Sequence, residues 1–249
     1  MQELANRIVL VTGGAVRIGS TIAEALAAAG AGVVVHAHAS RAAATELVAA
    51  IRERGGQAWC VFGALETPEG VTGVFRDALA AAGRLDGLVN NAAVFARQSL
   101  VQSREADFER PWRVNALAPM LLTQMLAEQV AASHPGAVVP VAGVVNLLDQ
   151  RIAHPCTGCL PYLVSKQALA AFTSAAALEL APRITVNGVA PGAALAPVSA
   201  AAREPAGAVP LGRHCTPAQI AAAVVFLLAN PSMTGQILYV DGGQHLGES

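Results

Sequence analysis

RIVLVTGGAVRIGSTIAEALAAAG, residues 7–30, decides the fold. Its first residues, RIVLV, are a continuous apolar run that reads as a buried strand. TGG turns the chain. RIGSTIAEALAAAG then repeats apolar residues at helical spacing and stops on Gly30.

The same alternation continues outward from this unit. GVVVHAHA, QAWCVFGAL and LDGLVNNAA read as the second to fourth strands. SRAAATELVAAIRERGG and TPEGVTGVFRDALAAAG read as the helices between them. A helical region from about 105 to 133 follows, with Pro111 expected at its start and Pro119 at a kink. GAVVPVAGVVNLL, RITVNGVAPG and QILYVDGG complete the strands, separated by LPYLVSKQALAAFTSAAALELA and PAQIAAAVVFLLA as helices. Strands alternating with helices predict an α/β fold: one Rossmann-like, doubly wound parallel sheet with helices on both faces. Continuously apolar strands fit a sheet covered on both sides. No repeat or linker divides residues 1–249, so one domain is expected. Residues 193–215 are the least regular part, either a substrate lid or a surface loop.

The bulk numbers exclude several function classes. The chain has 249 residues, 54% of them hydrophobic and 13% charged, which argues against disorder. A net charge of −1 without a basic face argues against nucleic acid or anionic membranes as partners. No run of eighteen apolar residues offers a membrane span. The first residues lack the basic and apolar segments of a signal peptide, so a cytoplasmic location and reduced cysteines are expected. No metal site is read. Cys156 and Cys159 form a Cys-x-x-Cys, taken as small loop residues in preference to a redox or zinc pair.

The turn after the first strand has chemical meaning. A helix N-terminus presents unpaired N–H groups and the positive end of a dipole, so it suits phosphate. Gly13 ends the strand and Gly19 opens the helix, with Ile18 beside it. Arg17 stands where a further glycine would be ordinary. It is either a solvated charge or, in the preferred reading, a guanidinium at the cofactor's phosphates or the substrate. The second strand ends in HAHASR, with no acid between Val33 and Thr45. An acid there would bind the ribose 2′-OH of NAD and repel a 2′-phosphate. His38, Ser40 and Arg41 supply donors instead, so NADPH is the expected cofactor, unless these are ordinary strand-end residues.

PYLVSKQAL, residues 161–169, holds Lys166, the sole lysine beside fifteen arginines. Tyr162 lies four residues earlier, on the same helix face. An ammonium near a phenol stabilises the phenolate, so Lys166 is expected to lower the Tyr162 pKa and make it a proton donor near neutrality. A compact ammonium suits that position better than a planar guanidinium.

Taken together, TGGAVRIG at 12–19, NNAAVF at 90–95, VNALAP at 114–119, YLVSK at 162–166, VNGVAPG at 186–192 and TGQILYVDGG at 234–243 resemble the short-chain dehydrogenase/reductase family over nearly the whole chain. The resemblance implies that Tyr162 donates the proton with Lys166 as partner, and that Asn115 completes a relay through water. Asn91 and Ala92 would line the adenosine side of NADP, and Pro191 and Gly192 would lie by the nicotinamide. Lys166 would also bind the nicotinamide ribose. A homotetramer would be the assembly.

The likeness sharpens toward the pteridine reductase branch. That branch carries Arg at the position of Arg17, and Asp in place of the usual catalytic serine thirteen residues before the tyrosine, where Asp149 stands. Phe95 matches its aromatic that stacks the pterin. By this likeness the substrate is a small molecule bound by Arg17, Phe95, Asp149 and Tyr162, and Asp149 is also a catalytic candidate, able to pass a proton to a ring nitrogen in place of Tyr162. Asp149 as a cap and Phe95 as core remain the plain alternatives. Ala93, Ala39 and Ala64 depart from the branch or family pattern, as does the run after Gly192. Three functions follow in order: reduction of a dihydropteridine-type C=N or C=O group, reduction of a ketone or 3-oxoacyl thioester, and dinucleotide sensing without turnover.

Overall fold

The computed structural model describes residues 4–194 and 209–247. Most of the expected lid at 193–215 therefore lies outside the described residues. A seven-stranded sheet runs through the rest, in the order β3-β2-β1-β4-β5-β6-β7, with every neighbouring pair parallel. The strands are β1 (Ile8–Val11), β2 (Gly32–Ala37), β3 (Ala58–Phe62), β4 (Gly87–Asn90), β5 (Ala142–Leu147), β6 (Ile184–Pro191) and β7 (Ile237–Val240). β1, β2, β4 and β5 are buried at every position, while the edge strands β3 and β7 are not. The doubly wound α/β architecture expected from the alternation is the one observed.

Side chains alternate across a strand, so each strand feeds two cores. Val9, Val11, Val33 and Val35 point to one face. There they meet α1 (Arg17–Ala28), α2 (Arg41–Glu53) and α7 (Pro217–Ala229) through Ile22, Leu26, Ile51 and Val224. Ile8, Leu10, Val34 and Leu88 point to the other face. There they meet α3 (Pro68–Ala82), α5 (Ala118–Ser133) and α6 (Leu160–Glu179) through Val74, Leu122, Leu126 and Ala176. Local signals start and stop these helices. Thr67 Oγ1 accepts from the Gly70 N–H, and Gly30, at a φ of 93°, ends α1.

The region from 105 to 133 is not one kinked helix. α4 (Glu105–Pro111) begins where Asp107 Oδ2 accepts the Arg104 N–H, and Pro111 closes it instead of opening it. A π-helical turn, Trp112–Leu117, follows, and α5 resumes with Pro119 in its first turn. Each proline lacks an N–H, so the wide turn forms between them. Asn115 sits in that turn.

A buried polar chain ties α6 to the sheet. Asn90 Nδ2 donates to Asn146 Oδ1 at 2.8 Å, and Asn146 Nδ2 donates to Thr173 Oγ1 at 2.9 Å. This fixes how α6, which carries Tyr162 and Lys166, sits against β4 and β5.

Leu26 is wholly buried in the α1–α7 core. Leu26→Ala is expected to lower unfolding free energy by about 2–5 kcal/mol, read as a lower urea midpoint with unchanged slope.

Candidate active site

Parallel strands end together, so the loops after β1, β2, β4, β5 and β6 share one edge of the sheet. The strand order reverses between β1 and β4, the place where such sheets open a crevice. Asn91 spans it. Its Nδ2 donates to the carbonyl oxygens of Thr12 (2.9 Å) and Gly13 (3.0 Å). Thr12 Oγ1 accepts from the N–H groups of Asn91 and Ala92. Gly13 has a φ of 59°, and a Cβ on Gly19 would lie 2.7 Å from Asn91 Nδ2 and nearer still to the Gly13 oxygen. Both positions therefore require glycine. Arg17 takes a φ of 58°, so it occupies the left-handed conformation that a glycine would take freely.

Over this turn opens a cleft of about 360 Å³. Gly13, Arg17, Ile18, Gly19, His38, Asn91 and Ala92, all expected at a cofactor site, line it. Ser40 and Arg41 stand just outside that lining, at the start of α2, and the Arg41 guanidinium lies 4.5 Å over the Phe62 ring.

Sequence reading chose His38 and passed over His36. His36 is 2% exposed and clamps the turn. Its Nδ1 accepts the Gly13 N–H at 3.2 Å, and its Nε2 faces the Gly63 oxygen at 3.1 Å. Those partners require a neutral ring with the proton on Nε2. Burial brings its pKa down to about 4, against the Gly63 carbonyl, which raises it, with His38 adding a smaller lowering. The motif HAHA held this signal only if the strand was known to end at Ala37.

At the end of β5, Asp149 gathers a second cluster. The Tyr162 hydroxyl donates to Asp149 Oδ2 at 2.8 Å. Arg151 donates to the same carboxylate from its backbone N–H (2.9 Å) and from Nη1 (3.1 Å). Asp149 thus caps the short turn Gln150–Ile152, the plain alternative for it, and also accepts the tyrosine hydroxyl. Phe95 meets Tyr162 edge-on at 4.8 Å, with the Arg151 guanidinium 6.0 Å from its ring. At 46% exposure Phe95 is not a core residue. Arg151 was missed in the sequence, where DQR offered only a charge two residues after the aspartate.

The expected effect of Lys166 on Tyr162 is corrected by the geometry. Lys166 is 2% exposed, and its Nζ donates to the Leu147 carbonyl at 2.6 Å. Burial lowers its pKa to about 8, with Asp149 opposing. Tyr162 is pushed well above its ordinary value, first by burial and then by Asp149, with Arg151 pulling weakly the other way. The resting phenol is therefore firmly protonated.

The Asn115 side chain is also fully engaged. Its Oδ1 accepts the Val94 N–H, and its Nδ2 donates to Val94 O and Ser165 Oγ. It pins Val94, a residue of the cleft wall. Pro191 and Gly192 end β6 beside β7, where Gly192 donates to Val240 O at 3.0 Å. Among the described residues no group of three His, Cys, Asp or Glu side chains is placed to hold a metal, and no helix is long and apolar enough to cross a membrane.

Residues 14–245 match a family model described as enoyl-(acyl carrier protein) reductase. The chain is 32% identical to a cyclopentanol dehydrogenase of Comamonas sp. (strain NCIMB 9872), covering 98% of each. It is 33% identical to pteridine reductase 1 of Leishmania tarentolae, covering 96% of each. Its structure superposes on FolM alternative dihydrofolate reductase 1 from Brucella canis, complexed with NADP, with a TM-score of 0.90 and 32% identity, over 100% of this chain and 98% of that one.

His36 makes stability depend on pH with a defined sign. Its folded pKa, about 4, lies below its ordinary 6.5, so the unfolded chain binds the extra proton. Stability is then complete above 6.5 and falls as pH drops toward 4. Urea unfolding at pH 7.5 and 4.5 should show wild type losing about 2–3 kcal/mol more than His36→Asn across that interval.

Proposed function

The chain belongs to the short-chain dehydrogenase/reductase family, and we propose that it is an NADPH-dependent reductase of a dihydropteridine-type substrate. The observation that carries this reading is the carboxylate of Asp149 hydrogen-bonded to the buried hydroxyl of Tyr162, under the exposed edge of Phe95.

The residues fit NADP. A Cβ would fill the cradle at Gly19, and no acidic side chain lies in the first turn of α1, where phosphate would meet the helix N-terminus. Gly13, Arg17, Ile18, Gly19, Asn91 and Ala92 would hold the dinucleotide, with His38, Ser40 and Arg41 toward a 2′-phosphate. Pro191, Gly192 and Lys166 would lie on the nicotinamide side. When bound, the cofactor supplies the hydride.

This chain's residues handle the proton and the substrate. Tyr162 keeps its proton in the resting state and donates it as charge develops on the reduced heteroatom. Asp149 offers acceptor oxygens to the N–H and amino groups of a pterin-like ring. Phe95 gives that ring a flat apolar surface. Lys166 keeps most of its proton at neutral pH, and its place one helical turn from Tyr162 suits a proton reservoir. Asn115 fixes Val94 and contributes to a relay through its main chain. Ketone reduction is the weaker reading, because a carboxylate beside a developing alkoxide raises its energy. A homotetramer in the cytoplasm belongs to the same proposal. Dinucleotide sensing without turnover is disfavoured by a tyrosine built into a proton-donating contact.

NADPH oxidation with 7,8-dihydrobiopterin should exceed that with simple ketones or a 3-oxoacyl thioester, and NADH should serve less well. Asp149→Ser should lower pterin kcat/KM by about 100-fold or more. Turnover of ketones without turnover of the pterin would overturn the reading.

A further inference from the structure

We propose that Cys156 and Cys159 form a reversible disulfide through which a low-molecular-weight disulfide slows the enzyme. The two Sγ atoms lie 3.4 Å apart. They are the first and last residues of a four-residue turn that leads directly into α6. Gly158, the third residue, has a φ of 79°, as the third position of a type II turn requires. Such a turn holds its outer Cα atoms within about 7 Å, the span that a disulfide bridges without large backbone movement. The sequence reading of these cysteines as mere loop residues did not anticipate that contact.

The two thiols differ in the way an exchange reaction needs. Cys156 is half-buried and reachable, while Cys159 is 4% exposed. Burial, with the Cys156 thiol beside it, pushes Cys159 up to about 12. Cys156 is therefore the attacking thiol and Cys159 the resolving one. The Cys156 thiolate attacks one sulfur of RSSR, forming Cys156–S–SR and releasing RS⁻. Cys159 then gives up its proton and attacks the Cys156 sulfur, forming the Cys156–Cys159 bond and releasing the second RS⁻. The two thiol protons end on two RSH, so the protein dithiol is oxidised and RSSR reduced.

Closing the bond moves a turn that both sides of the site are tied to. The sulfurs must approach to about 2.05 Å from 3.4 Å. The Gly158 carbonyl accepts the Gln98 N–H at 2.9 Å, and the Gln98 carbonyl accepts the Leu160 N–H at 3.2 Å. Gln98 lies three residues from Phe95, and Leu160 two from Tyr162. The Cys159 carbonyl also accepts the Leu163 N–H at 2.9 Å, in the turn of α6 that carries Tyr162. Displacements near 1 Å at reacting groups cost up to about 100-fold in rate.

The test treats the full chain with oxidised glutathione and follows intact mass, peptide mass and NADPH oxidation with the accepted substrate. The expected result is a loss of about 2 Da, carried by one peptide joining Cys156 to Cys159, with kcat lowered about tenfold and restored by dithiothreitol. Cys156→Ser should keep basal turnover and lose the response. Cys159→Ser, or Cys159→Ala should the serine variant fold poorly, should stop at a glutathione adduct on Cys156. A stable adduct on the wild type without the joined pair, no reaction at Cys156, or a joined pair with unchanged kcat and KM would each overturn the proposal. Only the rate measurement rests on the reductase reading. Absence of turnover by the reduced protein would defeat that reading, whereas absence of the joined pair would defeat this one.

Discussion

All seven strands run parallel and both faces of the sheet are covered, so chemistry can be built only where the strands end together. Every group of the candidate site follows from that constraint. β1 delivers the Gly13 turn, β2 delivers His36 and His38, β4 delivers Asn91, β5 delivers Asp149, and β6 delivers Gly192. Beyond the β1–β4 ladder, Asn91 bridges the crevice by donating to two carbonyls across it. His36 holds the same turn from the opposite side. The cradle is thus preorganised by protein groups.

The second half of the site is organised by one carboxylate. Asp149 receives Tyr162 and Arg151, and its charge also reaches Lys166. Burial works on these groups in opposite directions, raising the phenol and lowering the ammonium. In the resting protein the tyrosine keeps its proton, and burial brings the lysine to about 8. The Asn90–Asn146–Thr173 chain matters here because it sets α6 against the sheet, and hence the tyrosine against the aspartate.

The fold was legible because each strand is a short apolar run and α1, α2 and α3 carry apolar residues at helical spacing, whereas α5, α6 and α7 are apolar nearly all round. The turn was legible because Gly13 and Gly19 stand at positions where no side chain fits. Tyr162, Asp149 and Phe95 were found in the sequence, and the structure brings them into contact. What stayed hidden depends on where side-chain tips go. Spacing of i and i+4 puts Tyr162 and Lys166 on one face, yet it does not say that Lys166 ends on the Leu147 carbonyl. His36 and His38 share a parity and both line the cleft, but spacing does not say that the His36 ring ends on Gly13 and Gly63. Two prolines announced a break after α4, but not that a π-helical turn would carry Asn115 between them.

The most direct measurement is the ionisation of Tyr162 itself. The chain has two tyrosines, so Tyr239→Phe leaves Tyr162 alone to be titrated by its phenolate absorbance. The account predicts no ionisation at or below the ordinary value of 10, and an earlier ionisation once Asp149→Asn removes the carboxylate. A phenolate forming near neutrality with Asp149 intact would contradict it, as would a titration that Asp149→Asn leaves unmoved.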